Sequence, residues 1–198
     1  YPKSIDDRLK SIRKTHTGVT KLSPNEEFEL KSSTFEVLPY VFLNEEPLNT
    51  SEYYKLLGLI SLKRCYRWIP KKYMIPRYPE NNNILKYKIL IPESNGSGKL
   101  GEQLSNPIVV GPNVSSTPTF ISIGKFDTKN EADNALKYIK TKVVRALLGI
   151  LKKTQHNPSS VWGYVPLQDF TQNSDINWSK SIAEIDKQMY VKYGLSDD

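Results

Sequence analysis

The chain has 198 residues and a formal net charge of +7, and 38% of its residues are hydrophobic. This hydrophobic fraction, with 3 Trp, 12 Tyr and 6 Phe, excludes a disordered polar tail, and the length suits one well-packed domain with at most a small helical addition. No apolar stretch is long enough to span a membrane and no signal-peptide pattern opens the chain. The single cysteine, Cys65, excludes an intrachain disulfide, so we expect a cytoplasmic protein.

Basic residues are concentrated in two blocks. Residues 63–90 contain eight Lys or Arg and one acidic residue, Glu80, and residues 137–153 contain six Lys or Arg and no acidic residue. The rest of the chain has 14 basic and 20 acidic residues, which gives a net charge of −6. Concentrated positive charge on a slightly acidic remainder indicates a polyanionic partner.

In the first third of the chain, the sequence predicts a polar segment that leads in from an upstream domain, then one or two strands and a helix. Because the chain begins with Tyr1 rather than Met, we expect it to belong to a longer protein, with polar residues 1–16 leading in from an upstream domain. Residues 28–43 are rich in β-formers and predict one or two strands. Residues 51–62 predict a short helix with Ser51 as its N-cap.

Residues 63–77 form the most informative segment, because they contain six cations and three aromatic residues but no carboxylate. Cations bind a phosphate backbone and aromatic rings stack on bases, so the segment indicates contact with nucleic acid. The same pattern is also typical of a half-buried strand with its rings inward and its cations in solvent. The segment alone leaves both interpretations open.

Three strands are predicted in the middle of the chain, at residues 86–92, near 107–111 and near 119–124. The first leads directly into a flexible loop at residues 93–99. Short Asn and Ser side chains in this loop suit contacts with base edges, and Lys99 suits a phosphate or a guanine. A plain turn is the alternative.

The clearest local prediction is one long helix from Lys129 to Lys153. Thr128 and Glu131 form a capping box at its start, and apolar residues recur every three or four positions along it. Its opposite face is basic, which indicates a solvated surface more than a binding site.

Two further elements are predicted near the end of the chain. Residues 161–166 resemble a strand. A final helix begins near Ser181, which forms a second capping box with Glu184, and Gly194 ends it.

Few residues suit catalysis. Neither His16 nor His156 forms a metal-binding cluster with Cys65. Acidic-x-Lys triplets typical of nucleases begin at Glu29 and Asp127, but such triplets are frequent by chance. We therefore predict no catalytic residue and no metal site.

Several separated blocks together resemble a known family. They are residues 86–91 (Lys-Tyr-Lys-Ile-Leu-Ile) with the Gly-Ser-Gly loop, 117–126 (Thr-Pro-Thr-Phe-Ile-Ser-Ile-Gly-Lys-Phe), 131–142 (Glu-Ala-Asp-Asn-Ala-Leu-Lys-Tyr-Ile-Lys-Thr-Lys) with Arg145, 165–170 (Val-Pro-Leu-Gln-Asp-Phe) and 190–195 (Tyr-Val-Lys-Tyr-Gly-Leu). In this order they resemble the C-terminal target-recognition region of bacterial adenine-specific DNA methyltransferases from type II restriction-modification systems. The resemblance covers at least residues 63–198.

The resemblance implies DNA recognition without methyl transfer. In that family an upstream catalytic domain binds S-adenosylmethionine and carries an Asn/Asp-Pro-Pro-Tyr/Phe motif. Here Asn106-Pro107 and Asn157-Pro158 do not continue as Pro-Tyr, and the cofactor motif is missing. We therefore expect no cofactor and no enzyme activity in this chain, whose parent would be a methyltransferase, alone or fused to a restriction endonuclease.

The implied fold is α/β of the α+β type, with a mixed sheet, a long packed helix and a C-terminal helix. The expected boundaries are 1–16 for the lead-in, 17–178 for the target-recognition domain and 179–198 for the C-terminal helix. The expected partners are double-stranded DNA and the upstream methyltransferase domain, with no membrane.

The predicted DNA contacts fall into two groups. Candidates for phosphate contacts are Lys71, Lys72, Arg77, Lys137 and Lys152, and Lys99 suits either a phosphate or a guanine. Candidates for base-edge contacts are Arg64, Arg67, Asn95, Ser97 and Gln155.

Two functions from other classes remain as alternatives. One is a metal-dependent restriction nuclease fragment that uses Glu29 or Asp127. The other is a module that docks a methyltransferase to its partner subunit.

Overall fold

The computed structural model describes residues 30–74, 83–94, 101–151, 156 and 159–196. In these residues the strands are β1 (Tyr53–Ile60), β2 (Lys63–Pro70), β3 (Tyr87–Pro92), β4 (Ile108–Val110), β5 (Val114–Ser116) and β6 (Phe120–Phe126). The α-helices are α1 (Thr34–Val37), α2 (Lys129–Ile139), α3 (Lys142–Leu151), α4 (Ser159–Trp162) and α5 (Ile182–Tyr193). The predicted α+β class is confirmed.

The chain divides into two compact units. The first consists of the described parts of Tyr1–Leu85 with Pro112–Thr119, and the second of those of Lys86–Gly111 with Phe120–Asp198. Each unit has its own three-stranded sheet, in the order β2-β1-β5 and β4-β3-β6 respectively. The expected mixed sheet is thus two small sheets, of which the first has one antiparallel and one parallel pair of strands.

A β-hairpin dominates the first unit. Strands β1 and β2 are antiparallel, from the pair Tyr53↔Pro70 at the open end to Ile60↔Lys63 at the turn. The turn residues Ser61 and Leu62 both have positive φ, 48° and 64°, as a type I′ turn requires. The predicted helix at 51–62 is thus wrong, and only Thr50–Glu52 forms a 3-10 turn.

Between residue 30 and this hairpin the chain forms short helical segments and not strands. The predicted strands at 28–43 are replaced in the described residues by α1 and a 3-10 turn at Pro39–Val41, and Leu43 alone pairs with β2. These segments place Phe35 and Phe42 edge to face, with ring centroids 4.9 Å apart. The core of the first unit consists of buried Phe35, Leu38, Val41, Phe42, Leu56, Ile69 and Tyr73.

The strands of the second unit are those predicted. Strands β4 and β6 flank β3 on either side, and both are antiparallel to it. The core of this unit includes Ile89 and Ile91 of β3 and Ile185 and Met189 of α5. Rings add to the core, because Phe170 lies 5.3 Å from Trp178 and 5.8 Å from Tyr138 between ring centroids.

The predicted helix at 129–153 is two helices, α2 and α3, separated at residues 140–141. The Thr141 hydroxyl donates to the Tyr138 carbonyl (2.7 Å), so it competes with the helical backbone. The carboxylate of Asp186 on α5 accepts from the Lys142 N–H (2.6 Å) and caps the start of the new helix. The N-terminal cap by Thr128 is as predicted.

The C-terminal elements confirm one prediction and correct another. Helix α5 has the predicted capping box between Ser181 and Glu184, and Gly194 ends it at φ 63°. The strand predicted at residues 161–166 is wrong, because the chain forms α4 and then a turn there.

We predict that Asp186→Ala lowers the free energy of unfolding by about 1–3 kcal/mol, because it leaves the N–H of Lys142 without its acceptor in a partly buried place. Asp186→Asn keeps an acceptor oxygen and should lose less than half as much. Urea denaturation of both variants measures the difference. An equal loss of stability in both variants would show that Asp186 does not stabilise the fold through this hydrogen bond.

Candidate nucleic-acid interface

One face of the β1–β2 hairpin carries a cation between two aromatic rings. Directly paired residues of an antiparallel hairpin share a face, and successive residues alternate between faces. Lys55 is paired with Trp68, and Tyr66 lies diagonally across from Lys55 on the same face. The core residues Leu56 and Ile69 lie on the other face.

The Lys55 ammonium lies over both rings. Its Nζ is 4.9 Å from the ring centroid of Tyr66 and 5.1 Å from that of Trp68, which is within the range of cation–π attraction. This lysine is a functional candidate that the sequence reasoning missed. Its position opposite Trp68 becomes visible only when residues 53–70 are interpreted as a hairpin.

Arg64 belongs to the same face, two residues before Tyr66. Burial raises the pKa of the Tyr66 hydroxyl, and the nearby Arg64 guanidinium acts in the opposite direction. We call the surface formed by Lys55, Arg64, Tyr66 and Trp68 the ring face. It is not uniformly open, since Leu57 shares this side of the hairpin and is 1% exposed, whereas Tyr66 is 37% exposed.

The other described candidates of the 63–77 segment do not lie on the ring face. Arg67 is paired with buried Leu56 and shares its face, and its guanidinium donates to the Tyr66 carbonyl (2.9 Å). Lys71 and Lys72 lie on the 3-10 turn Lys71–Tyr73 after β2. Their ammonium groups lie over the rings of Tyr54 (5.2 Å) and Tyr73 (4.8 Å) respectively.

Lys137 is in the second unit and has internal partners. Its ammonium donates to the carbonyls of Trp178 (2.6 Å) and Lys180 (3.3 Å), which ties α2 to the segment before α5. The remaining predicted contacts lie outside the described residues; they are Arg77, Asn95, Ser97, Lys99, Lys152 and Gln155.

The acidic nuclease candidates form no metal site in the described part of the chain. Asp127 makes an ion pair with Lys86, and Glu29 lies outside the described residues. Across the described ranges no three His, Cys, Asp or Glu side chains lie together as metal ligands would.

A Ser, a His and a Glu do lie together in the second unit, but not as a nucleophilic relay. The Nδ1 of His156 is 2.8 Å from Glu93 Oε1 and 3.2 Å from Ser94 Oγ. A relay needs the nucleophile and the carboxylate on different ring nitrogens, whereas here both contact the same one. The hydrogen bond from His156 is the main cause that lowers the pKa of Glu93.

Cys65 also has the properties of a packing residue. Burial raises the pKa of its thiol, and its Sγ lies 3.9 Å from the Gly58 carbonyl oxygen on the core face of the hairpin. A raised thiol pKa disfavours the thiolate that a nucleophile requires.

Comparisons of the chain with protein-family models, with curated proteins and with solved structures find no match. In the described helices, no segment is both long and apolar enough to cross a lipid bilayer.

Proposed function

We propose that this chain is the sequence-specific double-stranded DNA recognition module of a bacterial restriction-modification adenine methyltransferase. The observation that carries the proposal is the ring face, where the Lys55 ammonium lies over the rings of Tyr66 and Trp68, on the same face of the hairpin as Arg64. The resemblance of residues 63–198 to target-recognition regions supports the same class of partner. Methyl transfer with S-adenosylmethionine then belongs to an upstream domain, which extrudes the target adenine while this module holds the duplex.

The charge around the ring face suits a polyanion. Residues 53–74, which form the hairpin and the turn after it, contain six Lys or Arg and no Asp or Glu. If the whole module neutralises about six phosphates, log K falls with log salt concentration at a slope of roughly −5. Such binding supplies affinity for any duplex, so sequence preference requires contacts with base edges.

Each member of the ring face has a distinct role in this proposal. Lys55 reaches a phosphate from a position that the two rings fix. Arg64 offers the forked donors that pair with the O6 and N7 of guanine in the major groove. Tyr66 contributes a hydroxyl to the backbone contacts and, with Trp68, apolar surface against the sugars.

Two of the predicted base-edge candidates lie in the described residues, Arg64 on the ring face and Arg67 on the core face. Of these two we assign the base-edge contact to Arg64. Arg64→Gln is therefore expected to relax sequence preference, because one bidentate pair contributes about 1–3 kcal/mol of discrimination.

Fluorescence anisotropy with duplexes selected from a random pool tests the proposal, in moderate salt without magnesium. The double variant Lys55→Gln/Tyr66→Ala should raise the Kd of the selected duplex about 10- to 100-fold, because it removes a phosphate contact and a ring. The matched control Lys187→Gln/Tyr164→Ala removes an exposed cation and an exposed ring from the second unit and should bind as wild type.

Two outcomes would contradict the proposal. Cleavage of the duplex by the purified chain in magnesium would favour the nuclease. If no duplex is preferred over random competitor and the ring-face variant binds like wild type, the docking module is favoured.

A further inference from the structure

The tip of the β1–β2 hairpin presents an apolar side chain to solvent. Leu62 is the second turn residue and is 91% exposed. Ser61 before it and Lys63 and Arg64 after it are exposed as well. Leu62 is thus an isolated apolar projection next to two cations.

Leucine is an unfavourable residue for this position on two grounds. Its φ of 64° lies in the left-handed region, where Gly and Asn are preferred and a side chain with a Cβ is strained. Its side chain also gains nothing from burial within the first unit. Residues that break local rules in this way are found where a protein makes functional contacts.

The tip is held in place and has a shape that fits a groove of DNA. The N–H of Ser61 donates to the Glu36 carboxylate (2.8 Å), which fixes the turn to α1. Strand β5 pairs with β1 only over Lys55–Leu57, and beyond Leu57 the Phe35 ring of α1 lies against Gly58. The exposed residues 61–64 are the part of the ribbon that can enter the major groove of B-DNA.

We propose that Leu62 is a wedge that inserts between two adjacent base pairs of the bound duplex and unstacks them. Apolar side chains inserted at a base step unstack it and kink the helix. Lys63, directly after Leu62, then contacts a neighbouring phosphate, while Arg64 keeps its contact with the base edge. Pyrimidine–purine steps unstack most easily, so we expect Leu62 to insert at such a step. This role rests on the proposed DNA recognition and adds a local distortion to it.

Fluorescence of 2-aminopurine, placed at successive positions of the selected duplex, tests the wedge. Wild-type protein should raise the emission several-fold at one step and leave the others unchanged. Leu62→Gly should abolish this rise and weaken binding of the selected duplex about tenfold. Leu62→Met keeps an apolar wedge and should retain the rise.

The variants separate the wedge from folding and from the proposed function. Glycine suits the left-handed turn, so Leu62→Gly should unfold at the same or higher urea concentration than wild type. Leu62→Asn, which also tolerates the turn but is polar, should behave like Leu62→Gly with DNA. Tight wild-type binding without any rise in emission would overturn the wedge and leave DNA recognition standing. Failure of wild type to bind any duplex would overturn both. Unchanged DNA binding and an unchanged rise in emission with Leu62→Gly would also overturn the wedge.

Discussion

Gly124→Ala is expected to lower the free energy of unfolding by about 2–4 kcal/mol, because two separate penalties add. Gly124 has a φ of 85°, which an L side chain adopts only under strain. A Cβ at this position would also overlap the ring atoms Cε2 and Cζ of Phe126. That ring is packed edge to face against Phe170, with centroids 5.7 Å apart, so it cannot move aside without loss of contact.

The position of Gly124 explains why glycine is needed there. The pairing of β3 with β6 passes from Tyr87↔Phe126 to Ile89↔Ile123, so β6 contains one residue more than its partner over this interval. Such a bulge commonly places a glycine at positive φ.

Gly194→Ala is the matched control for Gly124→Ala. Gly194 has a φ of 63°, and a Cβ there would meet no heavy atom within 4 Å. Only the backbone strain remains, so the loss should be about 1 kcal/mol. Urea denaturation of both variants measures the difference. Equal losses in the free energy of unfolding would show that the Phe126 ring moves aside without cost.

Local signals in the sequence predicted the elements that depend on local contacts. The caps at Thr128 and Ser181 and the stop at Gly194 were correct, because each involves residues within a few positions of one another. The three strands of the second unit were also correct, because their runs of β-branched residues are bounded by Gly and Pro.

Predictions failed where distant residues decide the structure. Leu56, Leu57 and Gly58 are consecutive and all buried, so their strand lacks the alternation of a half-buried strand and resembled a helix. The turn at Ser61 and Leu62 lacks the usual Asn-Gly signal of a type I′ turn. The break in the long helix depends on Asp186, which lies 44 residues beyond Lys142 in the sequence.

The candidate site could be predicted only in part for the same reason. The basic aromatic segment was recognised from its composition, and Arg64 is on the ring face. The separation of Arg64 from Arg67, and the position of Lys55 between the two rings, follow from strand pairing. Tyr73 is buried in the core, whereas Trp68 belongs to the ring face.

The stability of the second unit should rise with pH above pH 8 because of one buried lysine. Lys88 of β3 is 1% exposed, and its ammonium donates to the carbonyls of Lys86 (3.0 Å) and Gly111 (3.4 Å). Burial lowers the pKa of Lys88 from 10.5 to about 8. Between these values the unfolded chain binds more protons than the folded chain, so the free energy of unfolding increases with pH, by about 2 kcal/mol from pH 7 to pH 9.5.

Two substitutions of Lys88 isolate this effect from the other groups that titrate in the same range. Lys88→Met removes the buried charge and should be about 1 kcal/mol more stable than wild type at pH 7. Lys88→Arg keeps a charge that cannot be lost and should be less stable than wild type at every pH. Because neither variant titrates, both should lose about 2 kcal/mol relative to wild type between pH 7 and pH 9.5. Urea denaturation of the three proteins across this range measures the prediction. If the free energy of unfolding changes with pH in the same way for all three proteins, Lys88 keeps its proton in the folded chain over this range.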